Sequence, residues 1–144
     1  MERYALVNEY RIRYIEEGSG PTLILVHGLG GSANSWVNNI SNLAKDNHVY
    51  ALDMLGFGRS DKPRINYTID LFVDMLRGFM DTLGVDKASI VGSSLGGQIA
   101  AEYALKHQER VDRLILVAPA GFTPKTFKGT NTLRNYTRIF NAKS

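Results

Sequence analysis

The apolar positions fall into short runs with two spacings, broken by glycine, proline and polar clusters. Residues 4–7 and 10–15, split by Asn8-Glu9, read as a β-hairpin. The second strand alternates strictly, with Tyr10, Ile12 and Tyr14 on one face and Arg11 and Arg13 on the other. Gly18-Ser19-Gly20-Pro21 ends it. Thr22-Leu23-Ile24-Leu25-Val26 is a continuous apolar, β-branched run, the pattern of a strand buried on both faces in a parallel sheet. A helix is expected over 34–44, with Trp36, Val37, Ile40, Leu43 and Ala44 inward. The strand 48–52 ends at Asp53 and opens into a glycine-rich loop that reaches Pro63. Thr68 then caps a helix whose stripe of Ile69, Phe72, Val73, Leu76, Met80 and Leu83 repeats at helical spacing until Gly84 stops it. Residues 88–91 form another strand, and a helix runs from there to about His107 with a small-residue face of Ala100, Ala101 and Ala104. Residues 112–118 are the last strand, and Leu133, Tyr136 and Phe140 mark one amphipathic helix beyond it. A hairpin followed by alternating strands and helices predicts the α/β class. The sheet should be mostly parallel, of about six strands, with the antiparallel hairpin first and helices on both faces.

Composition narrows the function classes. The 144 residues suffice for one domain with a real core. Cysteine is absent, which excludes a disulfide framework, a thiolate metal site and a cysteine nucleophile. No apolar run approaches membrane-spanning length, and the N-terminus lacks the apolar core of a secretory signal. A cytoplasmic protein with no membrane association is expected. The net charge of +3 comes from the tail: residues 123–144 hold Lys125, Lys128, Arg134, Arg138 and Lys143 and no acid. The body is slightly acidic and shows no basic stripe interleaved with aromatics, so no nucleic-acid partner is expected.

The chemistry centres on Ser94. It lies in Gly92-Ser93-Ser94-Leu95-Gly96, between a strand and a helix. A serine at such a sharp crossover is forced into a strained conformation with its hydroxyl exposed above the sheet. Strand and helix nearly collide there, so the residues two before and two after it must be tiny, and Gly92 and Gly96 meet that need. The helix start also points free N–H groups at the same spot.

Four ordered motifs then resemble the N-terminal half of an α/β-hydrolase. They are His27-Gly28-Leu29-Gly30-Gly31 with Trp36 downstream, Asp53 through Gly56-Phe57-Gly58-Arg59-Ser60 to Pro63, Val91-Gly92-Ser93-Ser94-Leu95-Gly96-Gly97, and Leu116-Val117-Ala118-Pro119. The resemblance covers residues 22 to about 121. It implies acyl-transfer chemistry on an ester-like substrate, with Ser94 as nucleophile and the backbone N–H groups of Leu29 and Leu95 as oxyanion hole. It also implies that His27, Gly28 and Gly30 shape the supporting loop, that Asp53 is structural, and that no cofactor or metal takes part. Residues 1–122 would be a partial hydrolase core and 123–144 the start of a cap.

One departure is large. The family places an acid and then a histidine after the serine. Here the only later acids are Glu102, Glu109 and Asp112, and the only later histidine is His107, roughly 18–20 Å away at the far end of the helix. His48 begins its strand, away from the catalytic edge. No general base or acid is found in the chain. The expectation is a serine hydrolase module of carboxylesterase type, truncated before its acid and base and weak or inactive alone. The strand 113–118 would then be an open sheet edge, which implies a homodimer or higher self-association. Two alternatives stay open. One is a non-catalytic fragment that self-assembles. The other is a dinucleotide-binding domain, with Gly28, Gly30 and Ala33 as its glycine-rich turn and Asp53 as its ribose-binding acid.

Overall fold

A computed structural model describes residues 1–121; the expected cap segment 123–144 and its helix lie outside the described residues. The hairpin forms β1 (Glu2–Val7) and β2 (Tyr10–Glu17), closing on Val7↔Tyr10 through Asn8 and Glu9, which both adopt positive φ. Then come β3 (Thr22–Val26), α1 (Val37–Leu43), β4 (His48–Leu52) and α2 (Ile69–Thr82), and after them β5 (Ala88–Ser93), α3 (Leu95–Lys106) and β6 (Val111–Val117). The strands make one sheet in the order β1-β2-β4-β3-β5-β6. β1, β2 and β4 pair antiparallel, and β4, β3, β5 and β6 pair parallel. The α/β class and the mixed sheet are as expected. No described helix is long and apolar enough to cross a membrane.

Both faces of β3 are buried, by the period of two that any strand has. Ile24 and Val26 join the larger core under α2 and α3, with Leu52, Leu76, Phe79, Ile90 and Ile99. Leu23 and Leu25 join a smaller core under α1, with Ile40, Val49 and Ala51. Thr68 caps α2 by accepting from the Leu71 N–H at 3.1 Å. The buried stripe of α2 is wider than the sequence suggests, because Met75 and Phe79 are inside as well. Phe79 sets its edge against both Tyr14 and Tyr50.

Two expectations fail locally. The helix over 34–44 is a 3₁₀ turn, Ala33–Trp36, and then the α-helix from Val37. Ser32 and Ser35 cap each other's backbone, which tightens that first turn. Three residues per turn shift the phase of the helix behind it, and Val37 ends 53% exposed rather than inward. Arg13, expected on the same strand face as Arg11, is only 5% exposed, a burial that the alternation does not indicate. Arg11 remains outside, its guanidinium 3.8 Å over the Tyr4 ring. The difference is the glycine-rich loop: it folds over Arg13, whose N–H donates to Ser60 Oγ at 2.9 Å and whose carbonyl accepts from Asp53 N–H at 2.8 Å.

Candidate active site

The parallel strands β3, β5 and β6 all end at one edge of the sheet, where open α/β sheets bind ligands. Ser94 sits there between β5 and α3, exposed, at φ 55° and ψ −120°. Side-chain-bearing residues avoid that region, and its cost is about 1–3 kcal/mol. The surroundings enforce it. Ser94 N–H donates to Val117 O at 3.0 Å, and Ser94 O accepts from Ala120 N–H at 2.9 Å and Gly97 N–H at 3.0 Å. The crossover is therefore clamped by the end of β6 and the turn after it.

The glycine requirement is met by two different contacts. A Cβ on Gly92 would stand 2.3 Å from Gly96 O and 2.7 Å from Gly97 Cα, so Gly92 lets α3 approach its own strand. A Cβ on Gly96 would stand 2.3 Å from Val26 O and 2.4 Å from His27 O, so Gly96 lets α3 pass over the neighbouring β3. Gly28 is adjacent: a Cβ there would lie 3.6 Å from Ser94 Oγ.

The two candidate oxyanion donors flank this point. Leu95 is the first residue of α3, so its N–H has no carbonyl one turn back to bond. Leu29 is 77% exposed at the tip of the Gly28–Gly31 turn, where Gly31 N–H donates to Gly28 O at 3.0 Å. Neither N–H finds an acceptor among the described residues.

His27 is buried, and both ring nitrogens are engaged. Nδ1 lies 2.7 Å from Gly28 O, and Nε2 accepts from Met54 N–H at 3.0 Å. An acceptor at Nε2 puts the proton on Nδ1, so this imidazole is neutral and ties the Gly28–Gly31 turn to the loop after β4. Burial holds its pKa below the ordinary 6.5, against the opposing pull of the Gly28 carbonyl and the Asp53 charge. The unfolded chain takes up a proton as pH falls through 6.5, and the folded chain does so only at lower pH. Stability is therefore full above 6.5 and is lost as pH falls from there towards the folded pKa. In urea unfolding between pH 7.5 and pH 5, the cost of His27→Asn should shrink as pH drops; a pH-independent cost would refute the assignment.

Asp53 is fully buried. Its Oδ1 accepts from Ala33 N–H at 2.6 Å and faces Arg13 Nη1 at 3.4 Å, while Oδ2 accepts from Arg59 N–H at 2.7 Å. This carboxylate holds three segments together. It also overturns the dinucleotide alternative. The acid that would bind a ribose has both oxygens engaged, and the N–H groups of Ala33 and Asn34 that open the next turn are spent on Asp53 and on Ser32 Oγ, which accepts from Asn34 at 3.2 Å. Strand alternation assigns Arg13 only to the same face as Arg11, so no signal along the chain marks it as the partner of Asp53.

The remaining histidines and acids are elsewhere. His48 Nε2 meets Glu16 Oε2 at 2.5 Å at the start of β4. His107 ends α3 and packs on Tyr103, with ring centroids 4.9 Å apart. Glu102, Glu109 and Asp112 lie on α3, in the turn after it and at the start of β6, towards the opposite sheet edge from Ser94. Among the described residues, no imidazole is uncommitted beside Ser94. Two cavities meet at Leu29. A polar one of about 250 Å³ includes His27, Ser35, Trp36, Asn39 and Ser93 in its wall. An apolar one of about 550 Å³ runs from Leu29 and Leu95 to Phe57, Tyr67, Ile69 and Phe72.

Comparison with known proteins agrees with this architecture. The family model described as "alpha/beta hydrolase fold" matches residues 21–139. A 2-hydroxy-6-oxo-6-(2'-aminophenyl)hexa-2,4-dienoic acid hydrolase of Metapseudomonas resinovorans is 38% identical over 140 residues, covering 94% of this chain and 48% of that protein. The 1-acylglycerol-3-phosphate O-acyltransferase ABHD5 of Homo sapiens is 43% identical over 104 residues, covering 69% of this chain and 30% of that protein. Among solved structures, a bacterial membrane phospholipase A superposes with TM-score 0.84 at 38% identity, covering 86% of this chain and 41% of that one. The meta-cleavage product hydrolase CumD, in a variant form, superposes with TM-score 0.80 at 31% identity, covering 94% and 62%. The chain thus spans between about a third and a half of the length of the curated relatives it matches. With the family model spanning most of its length and its crossover, loops and sheet order in accord, this chain belongs to the α/β-hydrolase fold family.

Proposed function

We propose that this chain is the nucleophile-bearing module of a serine hydrolase acting on carboxylic esters. Residues 1–122 would be its core and 123–144 the beginning of a cap. The observation that carries the reading is Ser94: an exposed residue held on a strained backbone at the strand-to-helix crossover, next to the Gly28 turn. Ser94 Oγ would attack the ester carbonyl, and the carbonyl oxygen would take up negative charge against the N–H groups of Leu29 and Leu95. The hydrolases among its relatives support the reaction class. A serine hydroxyl without a base is a weak nucleophile at neutral pH. With the described histidines committed elsewhere, the chain alone should be slow, and a full triad would take its acid and base from outside the described residues. The lack of cysteine suits a reducing compartment such as the cytoplasm. Mixing with p-nitrophenyl acetate tests the reading. A slow, stoichiometric release of p-nitrophenol from the wild type, absent in Ser94→Ala, supports it. Equal background from both proteins refutes it and favours a non-catalytic fragment.

We also propose that copies of the chain associate through β6. Ile115 and Val117 on this edge strand are each 48% exposed, and an apolar edge recruits another strand. Sedimentation at tens of micromolar should show a dimer or larger species, and Val117→Lys should shift it towards monomer. A wild-type monomer throughout would refute the pairing.

A further inference from the structure

The apolar cavity beside the candidate oxyanion donors has the dimensions of a ligand site. Its volume of about 550 Å³ falls inside the usual range of 300–1,000 Å³. Among the described residues its wall is Leu29, Phe57, Tyr67, Ile69, Phe72 and Leu95, with Gly56 and Thr68, none of them charged. The polar cavity on the other side of Leu29 is less than half that volume.

The wall is built firmly. Tyr67 O–H donates to Pro63 O at 2.7 Å, and its ring stacks on Phe72 with centroids 5.9 Å apart. Phe57 leans on the same Phe72 ring at 6.2 Å. A Cβ on Gly56 would stand 2.8 Å from the Tyr67 ring, so the loop after β4 backs this side chain closely. At the other end, the cavity is lined by Leu29 and Leu95, the two residues that carry the candidate oxyanion donors. A substrate carbonyl held by those amides would have this apolar space beside it.

We propose that this cavity receives the acyl chain of the substrate, and that the chain acts on neutral esters of medium-length apolar acids rather than acetyl or anionic acyl groups. The proposal rests on the nucleophile reading of Ser94 and deepens it. Each methylene moved from water into an apolar site contributes about 0.8 kcal/mol, or roughly fourfold. Four extra methylenes can thus favour a hexanoyl over an acetyl group by up to about 10² when all are buried. A terminal carboxylate in the same space would lose its hydration and meet no cation from the described wall.

Acylation of Ser94 by p-nitrophenyl acetate, hexanoate and the adipate monoester tests this. In each case Ser94 Oγ bonds to the acyl carbon, the ester C–O bond breaks, p-nitrophenolate leaves and the hydroxyl proton passes to solvent. Intact-mass rates should favour hexanoyl at least tenfold over both acetyl and adipoyl. Ile69→Trp, which fills the cavity, should bring the hexanoyl-to-acetyl ratio down towards one. A wild-type ratio near one, a faster adipoyl ester, or a ratio unmoved by Ile69→Trp would overturn the proposal while leaving the nucleophile reading intact. A second measurement is independent of chemistry: octan-2-one added to methyl-labelled protein should shift the methyl resonances of Leu29, Ile69 and Leu95. Shifts there without acylation of Ser94 would keep the apolar site and sink the nucleophile reading. No shifts at those methyls would sink the site.

Discussion

Gly96→Ala should destabilise this protein by about 3 kcal/mol or more, the upper range for overpacking. The new methyl would stand 2.3 Å from Val26 O and 2.4 Å from His27 O. Both are backbone atoms of β3 and of the residue just after it, and β3 is held on either side by β4 and β5, so neither oxygen can step aside. α3 would have to lift off the sheet, uncovering Ile99, Ala100 and Tyr103, all buried at 0–1% exposure. Gly30→Ala is the control. Its φ of +74° strains an alanine, but the space around it is open, and a cost near ~1 kcal/mol is expected. Urea unfolding of the two variants measures the contrast. A Gly96→Ala cost no larger than that of Gly30→Ala would mean that the approach of α3 to β3 is not tight.

Ser94→Gly should remove ester acylation altogether and at the same time raise stability by about 1 kcal/mol. Relief of the backbone at φ 55° and ψ −120° contributes about 1–3 kcal/mol, offset by the roughly 0.5–1 kcal/mol that glycine's extra freedom costs. A gain from deleting a side chain is unusual, since most substitutions destabilise. It is expected here because residue 94 is held in a backbone region that side-chain-bearing residues avoid, strain that under the proposed function presents a hydroxyl. The clamp from Val117 and Ala120 uses only backbone groups of residue 94, so it survives the change. Thermal unfolding paired with the p-nitrophenyl acetate assay reads both effects. A loss of stability in Ser94→Gly would show that the serine side chain, rather than the strain, matters to the fold.

Much of the site is legible along the chain because its requirements are local. The need for small residues two before and two after Ser94 is written in five consecutive residues, although only Gly92 answers to the closeness of β5 and α3. The burial of β3 on both faces, the cap at Thr68 and the hairpin likewise depend on neighbours a few residues away. That Asp53 is structural is implied by the resemblance to α/β-hydrolases, whereas its position alone also allows a ribose-binding acid. The phase of α1 is not legible. A capping pair at Ser32 and Ser35 makes its first turn a 3₁₀ segment and rotates Val37 outward.

The sequence by itself determined the order of strands and helices, the pinched crossover at Ser94 and the absence of cysteine chemistry, because periodicity, small residues and composition act at short range. Only the tertiary structure decided that Gly96 yields to β3 rather than to its own strand and that Arg13 is buried against Asp53. It alone decided that His27 has both nitrogens occupied and that the end of β6 clamps the backbone of Ser94. Each of these joins segments tens of residues apart, and no spacing along a chain reports which distant backbone group will arrive to fill a buried hydrogen bond.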